Sequence, residues 1–427
     1  LIGLFNMFLE VTTDELQKFD IEIPSILASI MKDGVKSDPL SSRYAILAFG
    51  ALAINCEYLE TNFDPISYAT LLAGDMIETE DLETRLYTCY ALNKLSSSES
   101  MAKKIDNDLI GPLVKLLVHA SDDRHICAHS VSALRKLCFY PRHRKAMVDK
   151  GGIGALCALT CRADPDILRE ISACFLYISL TKDLVFSLIA SRALHSDQIF
   201  LLSQDIETLR MALGAMANMA EDLTYQAALT VDSAFFSILS STIKNRSVAV
   251  HRESCRVLSN VLSCEAAHAL FKEENGLAKL SFLAKSADRE CKLNVALCFW
   301  KLASNYSNHD ELMADGYTQT IFELARCKDV ETRRLAVSTL LAISRNETYK
   351  INVAQPDGLK AAIEFLADDD LLVKLCAVDI LRQFSLSNRL KIFMVQENVA
   401  EVLLKYTNKG NQVALVGRCI TVLANLS

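Results

Sequence analysis

Short apolar phrases recur along the whole chain, from G-A-L-A-I-N at 50–55 to T-V-L-A-N-L-S at 421–427. Taking the last residue of each phrase as an anchor gives positions 55, 96, 138, 179, 220, 262, 303, 344, 385 and 427, so every interval is 41 or 42 residues. The positions one and four before the anchor are apolar in all ten copies. A spacing of three residues puts both side chains on one face of an α-helix. Each phrase is therefore predicted to be a helix with a buried face.

Each predicted helix is preceded by a residue that can accept hydrogen bonds from its free amides. Fifteen residues before the anchor, eight of the ten copies carry such an acceptor: Asp81, Asp123, Asp164, Asp205, Ser247, Asp288, Asp329 and Asp370. Twenty-seven residues before the anchor, glycines mark the turn into another apolar segment: Gly111, Gly152, Gly276 and Gly358, with Gly316 one residue out of this column. No alternating strand pattern competes with the helical one.

Every unit thus consists of a short helix, a turn, a second helix, an acidic cap and a longer third helix. One such unit cannot bury its apolar faces alone, whereas stacked units share a continuous core. We therefore predict an all-α solenoid that forms a single domain over 1–427. Its predicted units are a partial repeat at 1–13 and full repeats at 14–55, 56–96, 97–138, 139–179, 180–220, 221–262, 263–303, 304–344, 345–385 and 386–427.

The spacing, the turn glycine, the Asp before the third helix and the phrases of the L-x-N-L-S type resemble the armadillo repeat family over nearly the whole chain. The segment D-L-I-G-P-L-V-K-L-L-V-H-A-S-D-D at 108–123 is close to the family consensus. HEAT repeats are the alternative, but their two-helix units lack this glycine and the three-helix rhythm. The armadillo resemblance implies a right-handed α-solenoid of about ten repeats whose third helices line a groove for extended protein segments. It implies no enzymatic activity and no cofactor.

The groove residues follow from helix geometry if the position two before the anchor faces the groove. This inner column contains Ala53, Lys94, Lys136, Tyr177, Asn218, Asn260, Lys301, Ala342, Gln383 and Asn425. In importin α and β-catenin, asparagines of this column bind a partner's backbone, and Asn218, Asn260 and Asn425 match them. The predicted groove site combines polar members of the column with two residues six before an anchor: Lys94, Lys136, Tyr177, Asn218, Asn260, Lys301, Gln383, Asn425, Tyr90 and Arg256.

The middle of the inner column is polar without a break from Tyr177 to Lys301, and the small residues Ser132, Ala173 and Gly214 leave room beside it. Basic and aromatic residues extend this stretch and suit an acidic partner segment: Tyr90, Lys94, His125, His129 and Lys136. The alternative is that these are the ordinary polar faces of soluble helices. Recognition of nuclear signals of the importin type requires a Trp six before each anchor. The only Trp, Trp300, stands three before its anchor, which disfavours that function.

Composition narrows the partner classes. A net charge of −7 disfavours a nucleic-acid-binding surface. The 14 cysteines include no C-x-x-C motif, which favours reduced core thiols and a reducing compartment. The sequence has neither a signal peptide nor an apolar run that could span a bilayer, so we predict the cytoplasm, with the nucleus as the alternative. Because the chain starts and ends within apolar phrases, we expect a piece of a longer protein, with a repeat, a cap or a partner beyond Ser427.

Three groups invite a sharper chemical interpretation. His125 and His129 stand one helical turn apart as zinc ligands can, but the Glu of H-E-x-x-H and a third ligand are missing nearby, so no metal site is predicted. The basic stretch at 135–145 fits either an acidic partner, a microtubule or an anionic lipid, or a solvated turn between repeats. Arg169, Arg210 and Arg252 recur ten before their anchors, near Asp166, Glu207 and Glu253. An ionic ladder between repeats and ligand binding explain these arginines equally well.

Two function classes remain open from the sequence. The first is a non-catalytic scaffold that binds one or more proteins, as part of a larger cytoskeletal, axonemal or membrane-associated assembly. The second is a regulator of a catalytic partner, such as the armadillo-type exchange factors for small GTPases. Only the second changes the rate of nucleotide release from a GTPase.

Overall fold

The computed structural model describes residues 23–53, 69–72, 74, 77, 79–105, 107–119, 122–191, 193–231, 233–314, 316–354, 357–408 and 412–427. The chain divides into two compact units, Leu1–Met219 (unit 1) and Ala220–Ser427 (unit 2). Regular structure within the described residues is helical throughout, without a strand. The predicted all-α fold is therefore confirmed. The partial repeat at 1–13 lies outside the described residues, and the single-domain boundaries and the repeat limits stay predictions.

From Leu82 onward, the third helices of unit 1 are longer than the helices between them. Its described helices are α1 Ile23–Ser37, α2 Pro39–Leu52, α3 Leu82–Leu95, α4 Glu99–Lys104, α5 Ile110–His119, α6 Arg124–Cys138, α7 Pro141–Asp149, α8 Gly152–Thr160, α9 Pro165–Ser179, α10 Lys182–Ala190, α11 Ala193–Leu201 and α12 Ile206–Met219, with a 3₁₀ turn at Asn107–Leu109. The third helices α2, α3, α6, α9 and α12 pack on one another in that order.

Unit 2 follows the same order. Its described helices are α13 Leu223–Val231, α14 Ser233–Thr242, α15 Val248–Val261, α16 Ala266–Glu273, α17 Gly276–Leu283, α18 Arg289–Ala303, α19 His309–Leu312, α20 Tyr317–Ala325, α21 Val330–Ser344, α22 Lys350–Ala354, α23 Gly358–Phe365, α24 Leu371–Ser385, α25 Asn388–Gln396, α26 Val399–Lys405 and α27 Val413–Leu426, with a 3₁₀ turn at Tyr306–Asn308. Here α15, α18, α21, α24 and α27 are the third helices and pack in sequence.

The third helices begin where the acidic column predicts. The Asp123 carboxylate, for example, accepts the amides of His125 and Ile126 at 2.9 Å each. Ser247 occupies the N-cap of α15 without a side-chain cap bond. Asp38, which caps α2, is not a member of the acidic column. It lies 43 residues before Asp81 (81 − 38), so the first copy is out of register with the others.

The two apolar columns form the core of each unit. They are buried from Leu92 and Leu95 in α3 to Leu381 and Phe384 in α24. On α27, Leu423 and Leu426 of the same two columns are only half-buried. Because the third helices pack in series, each repeat completes the core of its neighbour within a unit.

Glycines at the start of the second helices have two different roles. Gly151 and Gly316 adopt a left-handed conformation (φ 77° each) just before the second helix, and Asn275 and Asn398 replace them in other repeats. The glycine that follows, such as Gly358, allows close packing instead: a Cβ there would lie 1.7 Å from the Val353 carbonyl oxygen. Gly316 therefore belongs to the first group, which is why it falls outside the sequence column.

Candidate functional site

All ten predicted groove residues lie on third helices, and each is half-buried. Unit 1 contains Tyr90, Lys94, Lys136, Tyr177 and Asn218, and unit 2 contains Arg256, Asn260, Lys301, Gln383 and Asn425. The polar row predicted from Tyr177 to Lys301 spans both units, so its continuity stays a prediction. Within each unit, the structure shows what these side chains bind.

Lys136 of α6 binds the preceding repeat. Its ammonium donates to the backbone carbonyl of Asn93 (Nζ–O 3.1 Å), to the Asn93 side-chain oxygen and to the Ser97 hydroxyl (Nζ–Oγ 2.7 Å). Burial lowers the pKa of Lys136 to about 8, and the charge of Arg135 acts in the same direction. The predicted groove residue is therefore also a bridge between two repeats.

Lys301 of α18 repeats this arrangement in unit 2. It donates to the backbone carbonyl of Ser259 and to the Ser263 hydroxyl (Nζ–Oγ 2.7 Å). These two positions, three before and one after an anchor, are the same as those that Lys136 binds. Burial lowers the pKa of Lys301 as well.

Two asparagines of the inner column bind the anchor residue of the preceding repeat. The Nδ2 of Asn218 donates to Ser179 Oγ, and the Nδ2 of Asn425 donates to Ser385 Oγ, both at 2.9 Å. The two contacts lie in different units but connect the same pair of columns. A serine at the end of the preceding third helix therefore orients the amide of these two asparagines.

Aromatic rings occupy the same surface in unit 1. Tyr177 packs edge-on against Phe139, one residue after the preceding anchor, with ring centroids 5.5 Å apart. Lys94 places its Nζ 5.2 Å from the centroid of the Tyr90 ring, which also contacts the edge of His129 at 5.6 Å. Such cation–π and edge-to-face contacts hold large side chains in defined positions.

Each of these inner-column contacts can be traced one repeat back in the sequence. Lys136 and Lys301 follow a serine at the position after the preceding anchor, Asn218 and Asn425 follow a serine at the anchor, and Tyr177 follows a phenylalanine at the position after the anchor. No single column shows this pairing, because its two members stand in different columns one repeat apart. Comparison of column pairs offset by one repeat is the signal that identifies these bridges.

A depression of about 450 Å³ lies between α6 and α9. His125, His129 and Ser132 line it from α6, and Asp166 and Glu170 line it from α9. Burial lowers the pKa of His129, and the neighbouring His125 adds to this effect, so the ring is neutral at pH 7. Arg124 and Arg169 also line the depression, and Glu170 is ion-paired with Arg135. The site therefore offers a neutral imidazole beside paired carboxylates and guanidinium groups.

The arginine column forms a ladder between repeats in which the capping aspartates of the following third helices are the main partners. Arg169 binds the cap residue Asp205 of the next third helix through two hydrogen bonds of 2.9 Å, and this contact lowers the pKa of Asp205 to about 2. The same contact recurs at Arg43–Asp81, Arg252–Asp288 and Arg334–Asp370. Arg210 instead pairs with Glu207 on its own helix (2.8 Å). The capping carboxylates attract these arginines because they also receive helix amides and are fixed in place.

Two residues of the basic stretch at 135–145 are buried rather than solvated. Arg144 donates to the carbonyls of Cys138 and Phe139 at 2.9 Å each. His143 is fully buried, with Nε2 3.0 Å from the Ala102 carbonyl oxygen. The interpretation as a solvated turn is wrong for both, because buried carbonyls at helix ends need donors.

A further column, six residues after the anchor, went unnoticed in the sequence. Its buried side chains donate to the anchor's own carbonyl, in the pairs Arg144–Cys138, Gln226–Ala220, His268–Leu262 and His309–Ala303, at 2.8–3.0 Å. The residue type in this column changes from repeat to repeat, although each of these side chains donates to the same carbonyl. The sequence alone therefore does not show the column. These side chains share only their position beside the carbonyl at the end of a third helix.

In the described part of the chain, no group of three His, Cys, Asp or Glu side chains comes together to hold an ion, and no helix is both long and apolar enough to cross a membrane. His125 and His129 lie in the depression described above. None of the cysteines with described positions is in a disulfide bond.

Comparison with solved structures identifies the fold. An engineered protein from the Northeast Structural Genomics Consortium matches with a TM-score of 0.75 and 20% identity, over 94% of this chain and 98% of that chain. UNC-45 from Drosophila melanogaster matches with a TM-score of 0.63 and 14% identity, over 94% of this chain and 62% of its own. This chain thus spans less than two thirds of UNC-45.

Computationally designed armadillo repeat proteins for modular peptide recognition match with a TM-score of 0.51 and 19% identity, over 55% of this chain and 99% of theirs. No protein-family model and no curated protein matches the chain. The structural neighbours show an armadillo-type helical-repeat solenoid, as the sequence resemblance implied.

Proposed function

We propose that this protein is a non-catalytic scaffold that binds extended protein segments along its third helices. One observation carries the proposal: the inner column presents half-exposed side chains with hydrogen-bonding groups at the same place in most repeats. An extended segment carries unpaired N–H and C=O groups along its length. A periodic row of amides, ammoniums and a phenol complements such a segment. The designed armadillo proteins with this fold, made for peptide recognition, support the same use.

The contacts between repeats prepare this surface for binding. Asn425 is oriented by one N–H bond to Ser385, and a carboxamide has a second N–H and an oxygen besides. Lys136 and Lys301 are held by hydroxyl and carbonyl groups. Side chains that are already ordered lose less conformational entropy when a ligand arrives.

The partner segment that we propose for unit 1 is partly acidic. Lys94 and Lys136 supply positive charge, and Tyr90 and Tyr177 supply rings on the same face of the third helices. The depression between α6 and α9 accepts a polar side chain of the same segment, because a neutral His129 and the carboxylate of Glu170 offer both donors and acceptors. Exchanging Glu for Lys in a captured segment should abolish its binding to unit 1.

Affinity capture with the full chain tests the proposal. The variant Asn218→Ala/Asn260→Ala/Lys301→Ala should lose partners that the wild-type chain retains. Because Lys301 also bridges repeats, Ser263→Ala serves as the matched control: it removes the bridging hydroxyl and leaves the lysine in the groove. Retention of every partner by the triple variant would refute the groove assignment. If Ser263→Ala loses the same partners, the loss would come from the broken bridge between repeats and not from missing contacts with the partner.

The proposed scaffold belongs to a larger cytoskeletal or membrane-associated assembly in the cytoplasm. Proximity labelling in cells tests this context independently of the groove variants. The alternative, a regulator of a small GTPase, predicts faster nucleotide release when the protein is added to its GTPase. An unchanged release rate across candidate GTPases is expected for the scaffold.

A further inference from the structure

Two buried thiols of neighbouring third helices face each other in unit 2. The Sγ atoms of Cys255 on α15 and Cys291 on α18 are 3.5 Å apart, and both residues are fully buried. This is a contact distance, since a disulfide bond measures about 2.05 Å. The thiols are therefore reduced and adjacent.

The surroundings make the two thiols unequal. Cys291 lies in the first turn of α18, where its amide donates to the Asp288 carboxylate at 2.8 Å, and Arg252 binds the same carboxylate. The hydrogen bond from Cys255 lowers the pKa of Cys291 and raises that of Cys255. Since the thiolate is the reactive form of cysteine and a helix N-terminus favours it, the position of Cys291 in the first turn of α18 makes it the nucleophile in the proposal below.

We propose that Cys255 and Cys291 are an oxidation site at which hydrogen peroxide forms a disulfide between two repeats. The Cys291 thiolate attacks one peroxide oxygen and releases hydroxide, which gives a sulfenic acid. The Cys255 thiol then attacks the Cys291 sulfur, the S–S bond forms, and the hydroxyl group leaves as water with the thiol proton. Two thiols supply two electrons, and one peroxide becomes two waters. Peroxide reaches the buried pair during local opening of the repeats.

The bond changes the geometry between α15 and α18. It shortens the distance between the two sulfurs by roughly 1.5 Å and closes the chain from 255 to 291 into a loop. Because α15 and α18 also carry Asn260 and Lys301, oxidation moves these side chains relative to each other. Any effect on partner affinity rests on the proposed function, whereas formation of the disulfide does not.

Unit 1 offers a natural control for this pair. Cys89 occupies the same position as Cys255, seven residues before an anchor, and it is equally buried. It faces the Ser130 hydroxyl (Oγ–Sγ 3.3 Å) instead of a thiol. A hydroxyl cannot form a disulfide, so Cys89→Ser should leave the oxidation product unchanged. Cys161, which is exposed, reports that peroxide has acted on the sample.

The test is disulfide mapping of the folded full chain. Protein treated with hydrogen peroxide and then blocked with N-ethylmaleimide is digested without reduction and analysed by mass spectrometry. We expect a linked peptide pair that joins Cys255 to Cys291, together with a higher melting temperature that dithiothreitol reverses. Oxidation of Cys161 with both buried thiols still free would overturn the proposal.

Single variants separate the two steps. In Cys255→Ser the sulfenic acid at Cys291 has no resolving thiol, so dimedone should label Cys291. In Cys291→Ser we expect no label on Cys255. The reverse labelling pattern would contradict the assigned roles. The wild-type mapping does not depend on how well either variant folds, and none of these measurements requires a binding partner.

Discussion

In unit 1 the buried carbonyl at the end of α6 is bound by the guanidinium of Arg144. In unit 2 the carbonyls that end α15 and α18 are bound by the imidazoles of His268 and His309. The second ring nitrogens of these histidines are within hydrogen-bonding distance of Asn308 (2.9 Å) and Asn346 (3.2 Å), which belong to the following repeat. A free carbonyl at a helix end must be satisfied, but any donor of suitable reach satisfies it.

Units 1 and 2 share their contacts between repeats but differ in the side chains around these contacts. Both units carry the ladder from arginine to capping aspartate, and both carry a lysine that bridges repeats in the same way. The surface around these bridges is not shared, since the aromatic rings and the depression beside His129 belong to unit 1. Buried thiol contacts occur in both units, at Cys138 and Cys174 and at Cys255 and Cys291. The armadillo-type frame is therefore repeated while the chemistry on it varies.

The largest loss of stability is expected from core substitutions, which test whether each unit has its own core. Phe299→Ala in unit 2 and Phe175→Ala in unit 1 remove fully buried rings at the same position, four before the anchor. Each should cost about 3–5 kcal/mol of local stability. Because repeats are stabilised by their neighbours, hydrogen exchange should accelerate in the altered unit. Equal acceleration of hydrogen exchange in both units would show that the two units do not have separate cores.

The second prediction concerns the helix-end donors. His309→Ala removes the bond to the Ala303 carbonyl and should lower the free energy of unfolding by about 2–3 kcal/mol. His309→Gln should recover part of this loss, since Gln226 performs the same task in another repeat. Chemical denaturation of the three proteins measures the difference. A glutamine variant as unstable as the alanine variant would show that the imidazole is not interchangeable.

The third prediction addresses the ionic ladder. Asp205→Asn in unit 1 and Asp370→Asn in unit 2 keep an N-cap but remove the charge, and each should cost about 1 kcal/mol because the arginine partners are partly exposed. The pKa of Asp205 is about 2 in the folded chain and about 3.9 unfolded. Its stabilisation is thus complete above about pH 4 and is lost as the pH falls towards 2. Denaturation midpoints at several pH values should converge for wild type and Asp205→Asn at the acid end.

The smallest effect is expected at the lysine bridge. The pKa of Lys136 is about 8 in the folded chain and about 10.4 unfolded. Between these values the unfolded state binds more protons, so this residue makes stability rise with pH, by under about 1 kcal/mol. The variant Lys136→Gln should lack the rise. NMR titration of the lysine side chains should give a midpoint near 8 for Lys136, whereas a midpoint above 10 would contradict its burial.

Much of the fold was predictable from particular residues. The capping role of Asp123 and the burial of Leu92 and Leu95 follow from local rules of helix formation, because these depend on neighbours within one turn. The partner of Arg169 was not predictable in this way. Asp205 lies 36 residues away and competes with acids closer in sequence, and only the packing of α9 on α12 brings it within reach.

The sequence by itself determined the period, the helical class and the armadillo-type frame, because periodic burial and capping are encoded within single repeats. Tertiary structure decided the rest. It set which side chain meets the repeat before it, which carbonyl His309 satisfies and which two thiols touch. These contacts join residues that are far apart in sequence, and they depend on how one third helix lies on the next.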